Sequence, residues 1–200
     1  PQLLTAADPW LIAYRPKDGS EIWRAGCIEG ENGPSPVYSA GMVYAGGEYC
    51  RLSAVRADGQ GDVTATHVAW TAEDNLPDQC SPLATGKHVF ILQSYGLLTC
   101  YEATGGELLW EKEFEGAAFT SSPGMAGGRI YLFGELDTDQ EDAEGNYIKY
   151  CKAWILEPGD KVAKIVGECR LEEGCVTSPA FQDGRIYIRG SKHLFCLGEK

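Results

Sequence analysis

Long apolar runs are missing from this 200-residue sequence. Nowhere do 18 apolar residues follow one another, so no transmembrane helix is expected. Sustained i, i+3, i+4, i+7 periodicity is missing too; the longest segments without Gly or Pro alternate instead, which predicts a helical content close to zero. Positive charge is scarce. Seventeen Lys and Arg stand against 29 Asp and Glu, a net charge of −12, and such a field repels phosphate backbones and speaks against nucleic acid as a partner. There is no C-x-x-C and no Cys-Cys, the histidines (His67, His88, His193) stand apart from any cysteine pair, and no G-x-S-x-G occurs. Structural zinc and a nucleophile-elbow hydrolase are therefore not expected. Signal-peptide features and an initiator Met are also absent, and Pro1 begins in mid-pattern, the expectation being a processed or excised chain whose targeting information lies elsewhere.

What the sequence does have is 25 glycines spread along the chain at turn positions, between short segments rich in Val, Ile, Leu, Phe and Tyr. The stretch from Ser81 to Trp110 shows the unit. It predicts four strands, Ser81–Ala84, His88–Gln93, Leu97–Glu102 and Glu107–Trp110, with glycine-bearing turns between them. A sheet this small cannot bury both faces alone, so copies are expected, and they are present. Ser35-Pro36, Ser81-Pro82, Ser122-Pro123 and Ser178-Pro179 recur at spacings of 46, 41 and 56 residues. Each is followed by a glycine and an apolar pair ending in an aromatic: Gly41 to Tyr44, Gly86 to Phe90, Gly128 to Tyr131 and Gly184 to Tyr187. Trp23, Trp70 and Trp110 close three fourth strands, where a large ring can wedge between neighbouring sheets. Trp154 stands instead in a third strand, either because that blade packs differently or because it fills the space a closing Trp leaves.

Four strands per period of 40–50 residues is the signature of a β-propeller blade. The expected fold is all-β: a β-propeller segment of four-stranded antiparallel blades, complete over 35–70, 81–110 and 122–166, with partial blades over 1–26 and 178–200. The first partial blade lacks its innermost strand and the last lacks its outermost. Val63–Trp70 reads as a Thr-rich edge strand, Ala57–Asp62 as a stretched turn, Gly134–Asn146 as the loop between second and third strands, and Lys161–Val166 as a fourth strand.

The Ser-Pro, the Gly-x-[IV]-Tyr and the closing Trp resemble the pyrroloquinoline-quinone-like (PQQ-like) propeller repeat; Ala13–Trp23 and Cys100–Trp110 are its clearest copies. That repeat occurs in quinoprotein dehydrogenases and in non-catalytic propellers such as bacterial outer-membrane assembly scaffolds. The dehydrogenase branch implies a vicinal Cys-Cys disulfide over the quinone, a calcium held by Glu and Asn, and a catalytic Asp. None of these motifs is in register here, so no cofactor is expected. The four Ser-Pro serines are equivalent copies, which argues packing rather than a nucleophile, and no catalytic residue is nominated.

Two local features remain. The loop over 136–145 is acidic, and Asp137-x-Asp139-x-Glu141 begins like a calcium loop, but Asp142 and Ile148 stand where that pattern wants Gly and Glu. A solvated hairpin tip is the expectation, with weak calcium binding as the alternative. The eight cysteines invite a disulfide reading. Cys100 and Cys196 take the place of Ala13 and Ala54 and read as small buried hydrophobes. Cys27, Cys80, Cys169 and Cys175 lie in or beside the crossovers between blades. Cys169 and Cys175 close a short loop and form the best local disulfide candidate, while Cys50 and Cys151, both at starts of third strands, have no assigned partner.

The resulting expectation is a non-catalytic platform whose loops bind a protein or an extracellular polymer such as a polysaccharide. The alternative is a PQQ-dependent oxidoreductase or a polysaccharide-active propeller enzyme. The resemblance and the cysteine count imply a secreted or periplasmic bacterial protein. Closure geometry adds one more partner: the remaining blades of a larger parent chain, or a second copy, to cover the open sheets.

Overall fold

The computed structural model describes residues 1–198, so the last two positions of the partial blade expected over 178–200 lie outside the described residues. Five sheets follow one another in chain order. The first contains β1 (Leu3–Ala7), β2 (Trp10–Tyr14) and β3 (Glu21–Gly26); the second, β4 (Val37–Ser39), β5 (Met42–Ala45), β6 (Leu52–Arg56) and β8 (Val68–Ala72). The third contains β9 (Leu83–Ala84), β10 (His88–Leu92), β11 (Leu97–Glu102) and β12 (Leu108–Glu113). The fourth contains β13 (Gly124–Ala126), β14 (Arg129–Glu141), β15 (Tyr147–Glu157) and β16 (Lys164–Leu171); the fifth, β17 (Ala180–Gln182), β18 (Arg185–Arg189) and β19 (Leu194–Gly198). Four-stranded antiparallel blades are what the repeat predicts, and that is the observed fold class. The chain forms two compact units, Pro1–Gln93 with Thr99–Leu109, and Ser94–Leu98 with the chain from Trp110 onward.

In the first unit both faces of the second sheet are buried, and the period-2 alternation of a strand divides its side chains between two cores. Val43 and Ala45 of β5 and Val55 of β6 join Leu11, Ala13, Trp23 and Ala25 of the first sheet. Tyr44, Leu52, Ala54 and Trp70 face the other way and join Val89, Ile91, Tyr101 and Ala103. The Trp70 indole N–H donates to the Ala103 carbonyl at 2.9 Å, and the Tyr44 hydroxyl donates to the same oxygen at 3.0 Å. Gly106 lies under the indole: a Cβ there would stand 2.5 Å from Trp70 Cδ2, so any larger residue would lift the ring away. Trp23 follows a variant of this scheme. Its N–H donates to Gln2 Oε1 at 3.2 Å, and Gln2 passes the link on to the Ala57 carbonyl at 3.1 Å. The Ser-Pro serines are linked as well, the Ser35 N–H donating to the Ser81 hydroxyl at 3.0 Å.

The second unit repeats these devices. The Trp110 N–H donates to the Gly159 carbonyl at 2.7 Å, and the Ser122 N–H to the Ser178 hydroxyl at 3.0 Å. Phe133, Cys151, Ala153, Cys175 and Ile188 form its core cluster. Trp154 of β15 is buried against Phe114 and Phe119, with ring centroids 5.1 and 5.6 Å away, so it packs on the segment that leads into its own sheet.

Four sequence expectations are corrected. Val63–Trp70 is not one strand: Thr64–His67 forms a short helix, α1, and β8 begins only at Val68. The Thr64 N–H and hydroxyl both bond the Asp62 carboxylate at 3.0 and 2.7 Å, and its hydroxyl oxygen accepts the Gly26 N–H at 2.8 Å, local bonds that outcompete a β ladder. The stretched turn before it contains β7 (Gly61–Asp62), which pairs in parallel with β3 and gives the first sheet a fourth strand on its outer edge. Gly134–Asn146 is mostly strand, because β14 and β15 run on as a long two-stranded ribbon. The fourth strand of that sheet is displaced along the chain to Lys164–Leu171, so the blade extends past residue 166. Among the described residues, no strand pairs with the edge of β1 away from β2 or with the edge of β19 away from β18.

Truncation of Trp110 to Ala should destabilise the chain by about 3–5 kcal/mol, as for other buried aromatics, because Trp110 is 6% exposed and its N–H is bonded. Gly106→Ala should also lower the melting temperature, since the new methyl group meets the Trp70 ring. Thermal melts of both variants check this; an unchanged Tm for either removes the corresponding docking contact from the account.

Candidate functional site

The β14–β15 ribbon is the element that departs most from the repeat. Its strands have 13 and 11 residues, against 3 to 6 in β10, β11, β17 and β18. Near the sheet its register is regular, Glu135 opposite Cys151, Leu136 opposite Tyr150 and Asp137 opposite Lys149; it then slips before Glu141 meets Tyr147. Ala118 bridges β14 at Glu135, with both N–H···O distances 2.9 Å. The turn is held by Asp142, whose carboxylate accepts the N–H groups of Glu144 and Asn146 at 3.0 and 2.8 Å. Those bonds, the Asn146 backbone foremost, hold the Asp142 carboxyl below its ordinary range.

The acidic side chains of the ribbon do not converge. Glu135 meets Lys149 at 3.5 Å, Asp142 is occupied with its own turn, and Glu141 and Glu144 are exposed. Among the described residues no three His, Cys, Asp or Glu side chains gather to hold a metal ion. Beside the ribbon lies an open polar cavity of about 510 Å³ bordered by Asp137, Asp139, Lys149, Tyr150, Arg170 and Glu172. Arg170 stacks 3.8 Å over the Tyr150 ring and pairs with Glu172 at 2.9 Å. Tyr147 and Ile148 are 57% and 42% exposed, an apolar tip on an otherwise charged ribbon. This arrangement suits contact with another surface.

No two of the eight cysteines are joined in a disulfide. In the first unit, burial pushes Cys27 up to about 11 and Cys80 up to about 12, so both are inert thiols at neutral pH. Cys50 accepts the Glu29 N–H at 3.0 Å. Cys100 is fully buried, as its position in the repeat predicts, whereas Cys196 is exposed on β19, which has no described strand beyond it. In the second unit the two members of the expected disulfide sit differently. Cys169 is exposed on β16, in register with Ala153, while Cys175 is buried in the crossover to the fifth sheet. The thiol that Cys175 meets is that of Cys151, whose backbone N–H is tied to the Glu173 carbonyl at 2.9 Å. The hydrogen bond between them raises Cys151, with burial adding to the rise; the same bond lowers Cys175 against the opposing effect of burial, so the pair holds one proton more firmly than the other.

Glu173 itself is a site residue that the sequence reading passes over. Its carboxylate is 8% exposed and accepts the backbone N–H groups of Lys192 and His193 at 3.2 and 3.0 Å and the His193 ring Nδ1–H at 3.2 Å. Burial works to raise its pKa, but the bonds to His193 outweigh it and the group is lowered. Its role is to hold the β18–β19 turn. The only sequence signal is a carboxylate directly before a glycine at a crossover, which is too common to single out.

The sequence has no adjacent cysteines, and among the described residues no carboxylates cluster as the quinoprotein branch requires.

Comparison with known proteins places the chain. The family profile described as outer membrane protein assembly factor BamB matches residues 7–145. The crystal structure of BamB from Moraxella catarrhalis superposes with a TM-score of 0.52 at 11% identity, over 98% of this chain and 77% of that one. A quinohemoprotein alcohol dehydrogenase from Pseudomonas putida HK5 gives 0.57 at 13% identity, over 84% of this chain but only 29% of the dehydrogenase. The C-terminal WD40 domain of Sif2 gives 0.60 at 7% identity, over 96% of this chain and 53% of that one. At such identities these likenesses concern the fold alone. No protein of curated function matches the sequence. The profile match runs from the first sheet to the tip of the ribbon and covers more than half of the chain, and on that ground the protein belongs to the BamB-like family of PQQ-like propellers.

Proposed function

We propose that this protein is a non-catalytic propeller platform that binds a partner protein through the β14–β15 ribbon and the loops beside it, in the periplasm or outside a bacterial cell. The observation that carries this reading is the ribbon: it overruns the three-residue strand β13 and the eight-residue β16, so that its outer half has no described strand on either edge, with Tyr147 and Ile148 exposed at its end. Free edges can add a partner strand, and an exposed aromatic beside charged residues is a common anchor at protein interfaces. An extracellular polymer is the other occupant this surface could take, and the family description, an outer-membrane assembly factor, supports both the protein partner and the compartment.

Replacing residues 138–147 with an Asn-Gly turn tests this. The shortened chain should keep its melting temperature, because Asp139, Gln140 and Glu141 are exposed and the core cluster begins at Phe133. Crosslinking of the intact chain to envelope proteins in its native cell should lose its principal adduct in the shortened chain. An unchanged adduct would move the binding surface elsewhere. Tm shifts and dye-linked alcohol oxidation on addition of PQQ with calcium would replace the platform reading by the oxidoreductase one.

In an oxidising compartment Cys175 is the proposed disulfide half. The short-loop pairing is with Cys169; the thiol it touches belongs to Cys151. Peptide mapping without reductant decides: a 169–175 link supports the short-loop pairing, a 151–175 link replaces it, and eight free thiols remove the disulfide from the account.

The free edges of β1 and β19 are, in this reading, pairing sites for further propeller strands, of a longer chain or of a second copy. Leu194 and Leu197 of β19 are 70% and 38% exposed, apolar surface on an open edge. Light scattering on the 200-residue chain should show association; a stable monomer would show that the edges need no partner.

A further inference from the structure

Two hairpin turns in the second unit are built alike and frame one groove. The β13–β14 turn places Gly127 and Gly128 at φ 56° and 74°, between the paired residues Ala126 and Arg129. The β17–β18 turn places Asp183 and Gly184 at φ 49° and 72°, between Gln182 and Arg185. Both are two-residue turns with positive φ at each central position, the type I′ geometry that fits the twist of a hairpin. Each turn therefore delivers an arginine as the first residue of the following strand. Between the turns lies an open cavity of about 430 Å³ lined by Arg129, Tyr131, Phe181, Asp183, Arg185 and Ile186.

Among the described residues, no carboxylate meets the charge in this groove. Arg24, Arg51 and Arg170 each meet a carboxylate at 2.5 to 3.0 Å. Arg129 and Arg185 have no ion pair or side-chain hydrogen bond among the described residues, in a chain of net charge −12 that offers carboxylates freely. Arg185 is guided by its surroundings: a Cβ on Gly198 would stand 2.9 Å from its Cγ, so the arginine stem passes over a position left bare for it. The floor is apolar, Tyr131 against Phe181 at 5.1 Å with the rings inclined by 54°. Inclined rings offer no flat platform for a sugar but accept an apolar side chain between their edges.

The corresponding groove in the first unit shows that the charge is particular to this one. It lies between Pro1–Gln2 and the Ala40–Gly41 turn, with Met42 where Arg129 and Arg185 stand, and its one arginine, Arg56, is bonded to the Thr66 carbonyl. The shared architecture is a consequence of the repeat, and the paired arginines are an addition to it.

We propose that the groove between the β13–β14 and β17–β18 turns is a carboxylate-binding site for an acidic, partly apolar peptide segment of a partner protein. The planar guanidinium fork matches a carboxylate in two parallel hydrogen bonds, the two arginines share one or two acidic side chains, and the aromatic floor takes the apolar residue between them. Asp183 on the rim sets a limit on the charge, since it repels a dianion such as phosphate more than a single carboxylate. The proposal rests on the platform reading only in requiring a partner protein; its surface is separate from the ribbon.

Calorimetric titration of the 200-residue chain with an acetylated, amidated hexapeptide of alternating Glu and Leu tests it. The Glu peptide should bind, its Gln counterpart should not, and affinity should fall as salt rises. Arg129→Gln and Arg185→Gln should each weaken binding about fivefold, the range of a solvent-exposed ion pair, and the double variant should abolish it. Arg51→Gln should leave it unchanged. Because both side chains are exposed, the variants should melt with the wild type; if they do not, Arg129→Lys with Arg185→Lys keeps the charge and should retain weakened binding. Absent binding, equal binding of the Gln peptide, an indifferent double variant, or equally tight binding of inorganic phosphate or polygalacturonate would overturn the assignment. The ribbon-shortened chain should bind the peptide normally, so failure of the ribbon reading and failure of this one are told apart.

Discussion

A carbonyl in the turn between the third and fourth strands of a blade is the point on which the preceding sheet is fastened. Ala103 receives the Trp70 indole and the Tyr44 hydroxyl, so both lone pairs of one oxygen are used. Gly159 receives the Trp110 indole in the second unit. A tryptophan buried between sheets carries a polar N–H that must be satisfied there, and only a carbonyl held at a fixed place can do so. The glycine at 106 follows from the same contact, because the indole ring lies where its side chain would be. The Trp23 case shows what the constraint demands when the direct distance is not met: Gln2, with a donor and an acceptor on one amide, spans the gap between Trp23 and Ala57.

Given those anchors, burial of two faces does the rest. Burying about 200 Å² of a tryptophan is worth roughly 5 kcal/mol at ~25 cal/mol/Å², a contribution available only once a neighbouring sheet is present. Each central strand of the second sheet accordingly sends alternate residues into separate cores, Val43 and Ala45 one way and Tyr44 the other. The Ser-Pro serines add a polar link at the start of each repeat, N–H to hydroxyl at 3.0 Å in both units. Residues that recur four times thus serve the packing.

Individuality lies at the positions where the repeat is broken. The ribbon is an overlong hairpin on one blade, its carboxylates dispersed along two strands rather than focused on a point. The cysteines divide by surroundings, from thiols made inert by burial to the Cys151–Cys175 contact in the second core. The arginine-lined groove arises because two blades have the same turn and the same following residue. None of these features needs a change in the scaffold, and a propeller blade accommodates them because its turns and edges lie outside the packed faces.

The all-β fold and its repeating four-stranded antiparallel unit were legible in the sequence, since they depend on short-range rules: alternation, turn glycines, and the recurrence of Ser-Pro and Trp. The closing position of Trp110 and the burial of Cys100 follow from the repeat alone. What escaped is what depends on partners distant in sequence. Thr64–His67 turns into a helix because Thr64 finds Asp62 and the Gly26 N–H, and Gly61–Asp62 becomes a strand because β3 lies beside it. The acidic segment pairs as a ribbon because Glu135 finds Ala118 and Leu136 faces Tyr150, contacts that outweigh a run of like charges reading as loop. Cys175 faces Cys151, 24 residues away, and Arg129 shares a groove with Arg185 only because two sheets stack. The sequence by itself determined the blade, whose pattern is periodic and local; tertiary structure decided which side chains meet, because that depends on how separate periods are brought together.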